Sequence, residues 1–398
     1  MSSLRLSLVI ALLVAPSAAW AQTPTFTRDV APILYAKCVE CHRATMFAPM
    51  SLVTYEDARP WAKSIRTRVA ARTMPPWGAD PAHGVFKNDP RLSDKEIATI
   101  LAWVDGGAPK GNAADLPKLP VMADGWTIGT PDAVFEMQEP FSIPATGEIA
   151  YQYLRIPTNL KDDKWIAAIE IKPQARANVH HVIAYTQPAG QRINEAAVLG
   201  PGNIGGVTPN KPGVVFDPGV GRLLSANTDI ILQMHYTTNG QAATDRTVVG
   251  VRYLKEPPSM VARGGAVIQP AFVIPAGAAN HEVRGSRVLA QDTIITSLTP
   301  HMHVRGKDMT YTATYPDGRT ETLLSVPKWD FNWQITYQLK EAKRLPKGTR
   351  IDVVAHFDNS AQNKFNPDPT KDVRWGDQTW EEMMIGFWGT IAEREKSQ

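Results

Sequence analysis

The sequence predicts a multidomain protein in which a small all-α domain is followed by two all-β sandwich domains of the jelly-roll type. Three observations lead to this expectation. The chain has 398 residues, too many for one ordinary hydrophobic core. Helical periodicity is confined to its first part, whereas strand-like segments separated by turn residues fill the remainder. Its 32 prolines and 28 glycines disfavour long helices through most of the chain.

The first 21 residues have the pattern of a secretory signal peptide. Arg5 precedes the apolar run LSLVIALLVA, which is too short to span a bilayer, and AWA at residues 19–21 has the small-x-small form of a cleavage site. An uncleaved N-terminal anchor is the alternative. No later segment has the ~20 consecutive apolar residues of a membrane helix, so we expect a mature chain without a membrane span. Its expected location is periplasmic or secreted.

Residues 22–118 are predicted to form the all-α domain. The segments TRDVAPILYAKC, TYEDARPWAKSIRTRVAAR and SDKEIATILAWVDGG carry apolar residues at helical spacing. Ser93 and Glu96 form a capping box at the start of the last segment. The stretch KGNAADLPKLPVMADG, residues 110–125, is polar, proline-spaced and without periodicity, and it predicts a linker, which we place at residues 119–129.

Cys38 and Cys41 are the only cysteines of the chain, and His42 follows them directly in the stretch CVECH. In an oxidising compartment two thiols usually form a disulfide. The Cys-x-x-Cys-His spacing instead predicts covalent attachment of one c-type haem, because two thioethers from one helical turn can hold the porphyrin while His42 binds the iron. A thioredoxin-like redox pair is the alternative, but nothing nearby has the pattern of the βαβ unit that this motif needs.

Helices around such a motif, with a final amphipathic helix, resemble a small class I cytochrome c domain. This resemblance implies that a methionine before the last helix is the second axial ligand. Met74, in RTMPPWG, has that position, and the two prolines after it would restrict its loop. Met46, Met50 and His83 are competing candidates, and packing in the core is the alternative role of Met74.

The predicted β region divides into residues 130–262 and residues 263–398. Its segments alternate or are rich in β-branched and aromatic residues, and YPDGRTET carries the Asp-Gly signal of a hairpin. This pattern is typical of β-sandwiches. The region is too long for one sandwich, and the proline-rich stretch at 255–272 is the best boundary between two.

Five histidines lie in three short strand-like segments: His180 and His181 in ANVHHVIAY, His235 in LQMHYTTNG, and His301 and His303 in TPHMHVRG. A His-x-His pair places both imidazoles on one face of a strand, which is a chelating geometry. Adjacent histidines point to opposite faces of a regular strand, so one metal could bind both only at a twist or a bulge. A structural role is the alternative for each histidine, and most of all for the single His235.

Imidazole-rich sites suit copper, zinc, iron and nickel. No cysteine remains for a zinc-thiolate or blue-copper centre, and no carboxylate stands at the helical spacing typical of zinc proteases. Copper is therefore the best chemical match for an exported chain that is already predicted to carry haem.

The order of these residues resembles that of the copper type II ascorbate-dependent monooxygenases, the group that contains peptidylglycine α-hydroxylating monooxygenase and dopamine β-monooxygenase. The resemblance covers residues 130–392 and rests on His-His, a His in QMHY, His-x-His and a Glu-Met pair near the C-terminus. Such enzymes consist of two β-sandwich domains, each of which binds one copper. The resemblance implies that His180, His181 and His235 bind the electron-transfer copper.

The same resemblance implies that His301, His303 and a methionine bind the oxygen-activating copper. WEEMMIGFW offers Met383 and Met384, and Met383 matches the family's Glu-Met pair. A thioether ligand favours Cu(I). Packing in a buried strand is the alternative role of Met383.

Three features depart from this family. Its disulfides are absent, because both cysteines belong to the haem motif. Thr299 stands where the peptide-amidating enzyme has an arginine for the substrate carboxylate, and Ile385 and Phe387 occupy positions that are polar in that enzyme. We therefore expect the substrate to differ from a peptide C-terminus.

Together these features predict an exported haem- and copper-dependent oxidoreductase that hydroxylates a C–H bond of a small organic substrate with O2. One covalent haem would take electrons from a periplasmic donor or an ascorbate-like reductant and pass them to two coppers. The net charge is +3 and the basic residues are dispersed, so no run of lysines and arginines indicates nucleic-acid binding. The alternatives are a copper oxidase or reductase without hydroxylation, a copper-binding or electron-carrier protein, and a β region that binds a carbohydrate or a partner.

Overall fold

The computed structural model describes residues 23–44, 46, 48–120, 125–200, 202–207 and 213–395. The predicted signal peptide lies outside these residues, and the predicted linker lies only partly within them. Within the described ranges, no helix combines the length and the apolar character needed to cross a membrane.

The helices of the described chain are short and lie near its start. The α-helices are α1 (Ala31–Lys37), α2 (Tyr55–Ala58), α3 (Ala62–Ala70) and α4 (Asp94–Asp105). A π-helix at Phe26–Val30 leads into α1, and 3-10 turns lie at Arg59–Trp61, Ala113–Asp115, Arg176–Asn178 and Glu195–Leu199.

Side-chain caps and a small core stabilise these helices. At the start of α4 the Ser93 hydroxyl accepts from the Glu96 N–H, and the Glu96 carboxylate accepts from the Ser93 N–H. This is the predicted capping box, which satisfies N–H groups that have no partner inside the helix. Leu34, Ile100 and Trp103 are fully or almost fully buried in the core that the helices share.

The strands of the first β half pack around one hydrophobic core. They are β1 (Ala133–Glu136), β2 (Phe141–Ile143), β3 (Gln152–Pro157), β4 (Lys164–Lys172), β5 (Val179–Pro188), β6 (Asn203–Val207), β7 (Gly213–Val215), β8 (Val220–Leu224), β9 (Thr228–Tyr236), β10 (Ala243–Asp245) and β11 (Val248–Tyr253). Strands β3, β9, β5 and β6 form a four-stranded sheet in that order, and β2 pairs with β10.

The strands of the second β half pack around another core. They are β12 (Met260–Ile268), β13 (Val273–Ile274), β14 (His281–Val288), β15 (Thr293–His301), β16 (Gly306–Thr314), β17 (Thr320–Val326), β18 (Tyr337–Leu345), β19 (Arg350–Phe357), β20 (Val373–Arg374) and β21 (Ile385–Glu393). Strands β14, β19, β16 and β17 form a four-stranded sheet in that order, and β13 pairs with β20.

One nine-stranded sheet runs through both halves. Its order is β1-β11-β4-β8-β12-β21-β15-β18, with β7 attached to β4. The halves join where β8 and β12 pair in parallel, so that Met260 lies opposite Val220 and Val261 opposite Gly221. Residues 262 and 263, at which the sequence placed a boundary, lie within β12.

The predicted fold class, a small all-α domain followed by two all-β sandwich domains, is wrong. Strand accounts for 38% of the structure and helix for only 14%, and the strands form several sheets. The segment between α3 and α4 pairs with β18, because the Lys87 N–H donates to the Gln338 carbonyl oxygen and Phe86 forms a β-bridge with Leu339. Pairings between such distant segments cannot be read from local periodicity, which is the signal on which the prediction rested.

Aromatic rings fasten this segment to the second β half. The Trp77 ring centroid lies 4.8 Å from that of Tyr337, and the Phe86 centroid lies 5.5 Å from that of Tyr337. Trp77 and Phe86 are themselves 5.8 Å apart. We call Trp77, Phe86 and Tyr337 the aromatic junction. Met74 lies three residues before Trp77, so the loop that carries the predicted second haem ligand leads into this junction.

Candidate metal sites and the cysteine cavity

His180, His181 and His235 lie together, and we call them the three-histidine group. Strands β5 and β9 are antiparallel neighbours in which His181 lies directly opposite His235. The three ring centroids are separated by 4.9 to 5.4 Å. One nitrogen from each ring lies within 4.8 Å of the others, a spacing that suits ligands of a single metal ion.

A local irregularity brings the adjacent histidines to the same side of the sheet. The register between β5 and β9 shifts between Val179 and His181, which is the bulge that a shared site requires. As a result His180 Nδ1 lies 3.1 Å from His181 Nδ1. The two rings therefore lie close together on one side of the sheet.

His301 and His303 lie at the end of β15 and directly after it, and we call them the two-histidine group. Their rings are perpendicular, with centroids 5.3 Å apart. Met383 and Met384 precede β21, and both are buried. Met384 belongs to the hydrophobic core of the second β half, whereas Met383 does not. The Met383 side chain is therefore not committed to that core.

The Glu382 carboxylate holds the backbone that carries the two-histidine group. It accepts hydrogen bonds from the N–H of His303 at 2.8 Å and from the N–H of Arg305 at 2.7 Å. Burial raises the pKa of Glu382 to about 8, while these N–H groups and the Arg305 charge act in the opposite direction. Sequence reasoning used Glu382 only as a marker for Met383 and missed this contact, because its partners lie 77 and 79 residues away.

Hydrogen bonds to Nδ1 determine which ring nitrogen of His301 and of His303 is left for a metal. His301 Nδ1 lies 2.6 Å from Gln334 Oε1, and His303 Nδ1 lies 3.2 Å from the Glu381 carbonyl oxygen. In each pair Nδ1–H donates to the oxygen, which leaves Nε2 with a lone pair for a metal.

Several buried ring nitrogens have no hydrogen-bond partner among the described residues. They are His180 Nε2, His235 Nδ1 and His303 Nε2. A buried nitrogen without a partner costs free energy, so such atoms are rare unless they serve another purpose. The donor set therefore fits a metal that accepts imidazole ligands, as copper does.

Burial keeps these imidazoles neutral. It lowers the pKa of His180 and His301 to about 4 and that of His235 to about 3. Burial and the neighbouring histidines lower the pKa of His181 and His303 well below the ordinary value. Neutral imidazole is the form that binds metal.

We expect the metal-free protein to lose stability as the pH falls from about 6.5 to about 4. Unfolded histidines take up protons near pH 6.5, whereas the folded-state pKa of the buried ones is depressed, so the unfolded state binds more protons across this window. Each buried histidine would lower the free energy of unfolding by up to ~1.4 kcal/mol per pH unit. Urea unfolding midpoints in the presence of a chelator measure this effect.

The His83→Ala variant, which changes a histidine outside both groups, serves as the control and should keep the same slope. A midpoint that does not change over this pH range would contradict the assignment of neutral buried imidazoles.

Side chains of the second β half contact the histidines of the first. The Phe331 ring stacks on His180 with centroids 4.7 Å apart and lies 6.4 Å from the ring of His303. Thr379 Oγ1 lies 3.3 Å from His235 Nε2. The two imidazole groups are therefore neighbours, and Phe331 contacts both.

A cavity of about 860 Å³ lies beside the CVECH stretch, and we call it the cysteine cavity. Its wall includes Cys38, Cys41, His42 and Met74. The volume lies within the range of about 300–1,000 Å³ that is typical of sites for small molecules and cofactors. His42 Nδ1 lies 3.2 Å from the Met50 carbonyl oxygen, so Nδ1–H donates and Nε2 is left for another ligand.

The thiols of the cysteine cavity are not joined in a disulfide. Burial raises the pKa of Cys38 to about 12 and that of Cys41 to about 11, and it lowers the pKa of His42. Among the competing distal ligands Met50 also lines the cavity, whereas Met46 and His83 do not. Two free thiols and a neutral imidazole on one wall fit the donor set of a covalently bound haem.

No protein-family model matches the chain, and no curated protein matches it. Among solved structures, the major capsid protein P2 of bacteriophage PM2 is 8% identical, with a TM-score of 0.29, over 66% of this chain and 98% of that chain. A structure of the Gx strain of infectious bursal disease virus is 10% identical, with a TM-score of 0.17, over 68% and 72% of the two chains. Allantoicase from Saccharomyces cerevisiae is 11% identical, with a TM-score of 0.19, over 63% and 80%. Likenesses at these scores carry no argument about function.

Proposed function

We propose that the chain is an exported haem- and copper-dependent oxidoreductase that hydroxylates a C–H bond of a small organic substrate with O2. The observation that carries the proposal is the presence of two neighbouring groups of buried or half-buried imidazoles in a chain that also has a cofactor-sized cavity lined by Cys38, Cys41 and His42. When bound, haem supplies electrons and copper activates O2.

Each proposed ligand has a donor atom on a buried or half-buried side chain. For haem they are Cys38, Cys41, His42 and Met74; for the first copper His180, His181 and His235; for the second copper His301, His303 and Met383.

The remaining contacts orient these ligands. Gln334 Oε1 and the Glu381 carbonyl oxygen accept from the Nδ1–H of His301 and His303, which would leave Nε2 of both rings for the second copper. Glu382 fixes the backbone of His303. Phe331 covers one face of His180, which excludes water from that side of the three-histidine group.

The resemblance to copper type II ascorbate-dependent monooxygenases supports the choice of copper and of a hydroxylation reaction. The signal-like pattern of residues 1–21 supports a periplasmic or secreted location. There the electrons would come from a periplasmic donor or an ascorbate-like reductant. Thr299 donates a hydrogen bond to Thr336 and, unlike an arginine, offers no charge for a carboxylate, which favours a substrate other than a peptide C-terminus.

We expect the exported protein to hold one covalent haem and two coppers per chain. Haem staining after denaturing electrophoresis and metal analysis by mass spectrometry measure both numbers. The His356→Ala variant removes a histidine that bonds to Asp308 instead of belonging to either group, so it should keep both coppers. A chain with one tightly held copper would favour a copper-binding protein, and a chain without covalent haem would contradict the proposal.

A further inference from the structure

The loop between β17 and β18, residues 327–336, reaches both the cysteine cavity and the imidazole groups; we call it the bridging loop. Trp333 and Thr336 form part of the cavity wall. Two residues before Trp333, Phe331 stacks on His180 with an interplanar angle of 9°. One residue after Trp333, Gln334 bonds to His301.

Hydrogen bonds hold the bridging loop in place. The N–H of Trp329 donates to the Lys307 carbonyl oxygen, and the N–H of Trp333 donates to the Asp330 carbonyl oxygen, both at 2.9 Å. At the far end, Asn88 Nδ2 donates to the Thr336 carbonyl oxygen at 2.8 Å. The rings of Phe331 and Trp333 therefore extend from a restrained backbone.

Arg176 holds the backbone beside the three-histidine group. Its Nη1 donates to the Val179 carbonyl oxygen, next to His180.

We infer that the bridging loop is the electron route between the two sites, with Trp333 at the cysteine cavity and Phe331 at His180. This inference rests on the proposed function. With both groups bound, the haem held by Cys38, Cys41 and His42 would give up one electron, and the copper held by the three-histidine group would accept it. No bond breaks and no proton moves. Each ring places a π-system at one end of this route, and an aliphatic side chain in its place removes that π-system.

The test compares Phe331→Leu and Trp333→Leu with a matched control. Phe272→Leu removes a ring that stacks on Phe357, with centroids 5.8 Å apart, in the same β half, but Phe272 contacts neither the histidines nor the cavity. Each protein is loaded with haem and copper, and both metal contents and both midpoint potentials are measured. A photoreductant then reduces the haem without O2 or substrate. Loss of the reduced-haem absorption band and of the Cu²⁺ paramagnetic signal is followed in time.

We expect Phe331→Leu and Trp333→Leu each to slow the loss of both signals by about tenfold or more. A tenfold change corresponds to about 1.4 kcal/mol in the barrier to electron transfer. The control should keep the wild-type rate. Trp333→Phe and Phe331→Tyr, which keep an aromatic ring, should keep most of that rate at unchanged midpoint potentials, a result that a purely structural role for the rings would not produce.

The outcomes separate this inference from the proposed function. Wild-type rates in fully loaded leucine variants would overturn the electron route and leave the proposed function intact. Fully loaded wild-type protein whose haem never passes an electron to copper would overturn both. If one leucine variant does not fold, the electron route is tested by the other leucine variant and by the rate of each aromatic variant relative to the wild type.

Discussion

Replacing His303 with alanine is expected to remove one copper and to abolish hydroxylation, while the three-histidine group keeps its metal. His303 is fully buried, and its Nε2 has no partner among the described residues. Loss of a residue that only orients a ligand typically costs about 10–100-fold in metal affinity or activity, so loss of a direct ligand should cost more than that. Because His181 and His235 lie on other strands, their geometry should survive the change.

Metal analysis and haem reoxidation measure this expectation. Reduced, copper-loaded protein is mixed with O2, and the oxidation of haem is followed by stopped-flow absorption. His303→Ala and His301→Ala should both be slower than the wild type, and His356→Ala serves as the matched control. Haem reoxidation at the wild-type rate in His301→Ala would show that electrons do not reach O2 through the two-histidine group.

Replacing both Cys38 and Cys41 with serine is expected to abolish covalent haem attachment, because the chain has no other cysteine. The helices enclose only a small core, and a cofactor that binds the folded state stabilises it. Without haem the cysteine cavity of about 860 Å³ would be left empty, so the helices around it should unfold readily. The core of the first β half contains no residue of this segment, and that of the second contains only Ala79 and Phe86 from it, so most of both cores should stay folded.

Haem staining and limited proteolysis check this second expectation. The double variant should show no stain and should be cleaved first between α1 and α4, with a β region that resists cleavage. The Met46→Leu variant, which changes a methionine outside the cavity wall, should stain and resist cleavage like the wild type. A double variant that keeps its stain under denaturing conditions would contradict the assignment of these cysteines.

Local features of the structure could be predicted from the sequence because their causes lie within a few residues. The capping box of Ser93 and Glu96 is one example. The Asp-Gly hairpin is another, since the turn between β16 and β17 contains Gly318 at φ 86°, a conformation that glycine adopts without strain.

Features that depend on distant segments could not be predicted in this way. The parallel pairing of β8 with β12 and the bridge between Phe86 and Leu339 follow from which surfaces meet, and they made the predicted fold class wrong. The same holds within the site. Gln334 lies 33 residues from the histidine that it orients, and Phe331 comes from the other β half, so no motif around the histidines contains either residue.

The aromatic junction bears on how this chain can be dissected. A fragment that ended at residue 118 would expose the rings of Trp77 and Phe86 to water, and a fragment that began after it would leave Tyr337 and the edge of β18 uncovered. Exposed aromatic surface and unpaired strand edges both promote aggregation. The segment that contains CVECH therefore cannot be moved into another protein as an independent domain unless β18, with which it pairs, is moved with it.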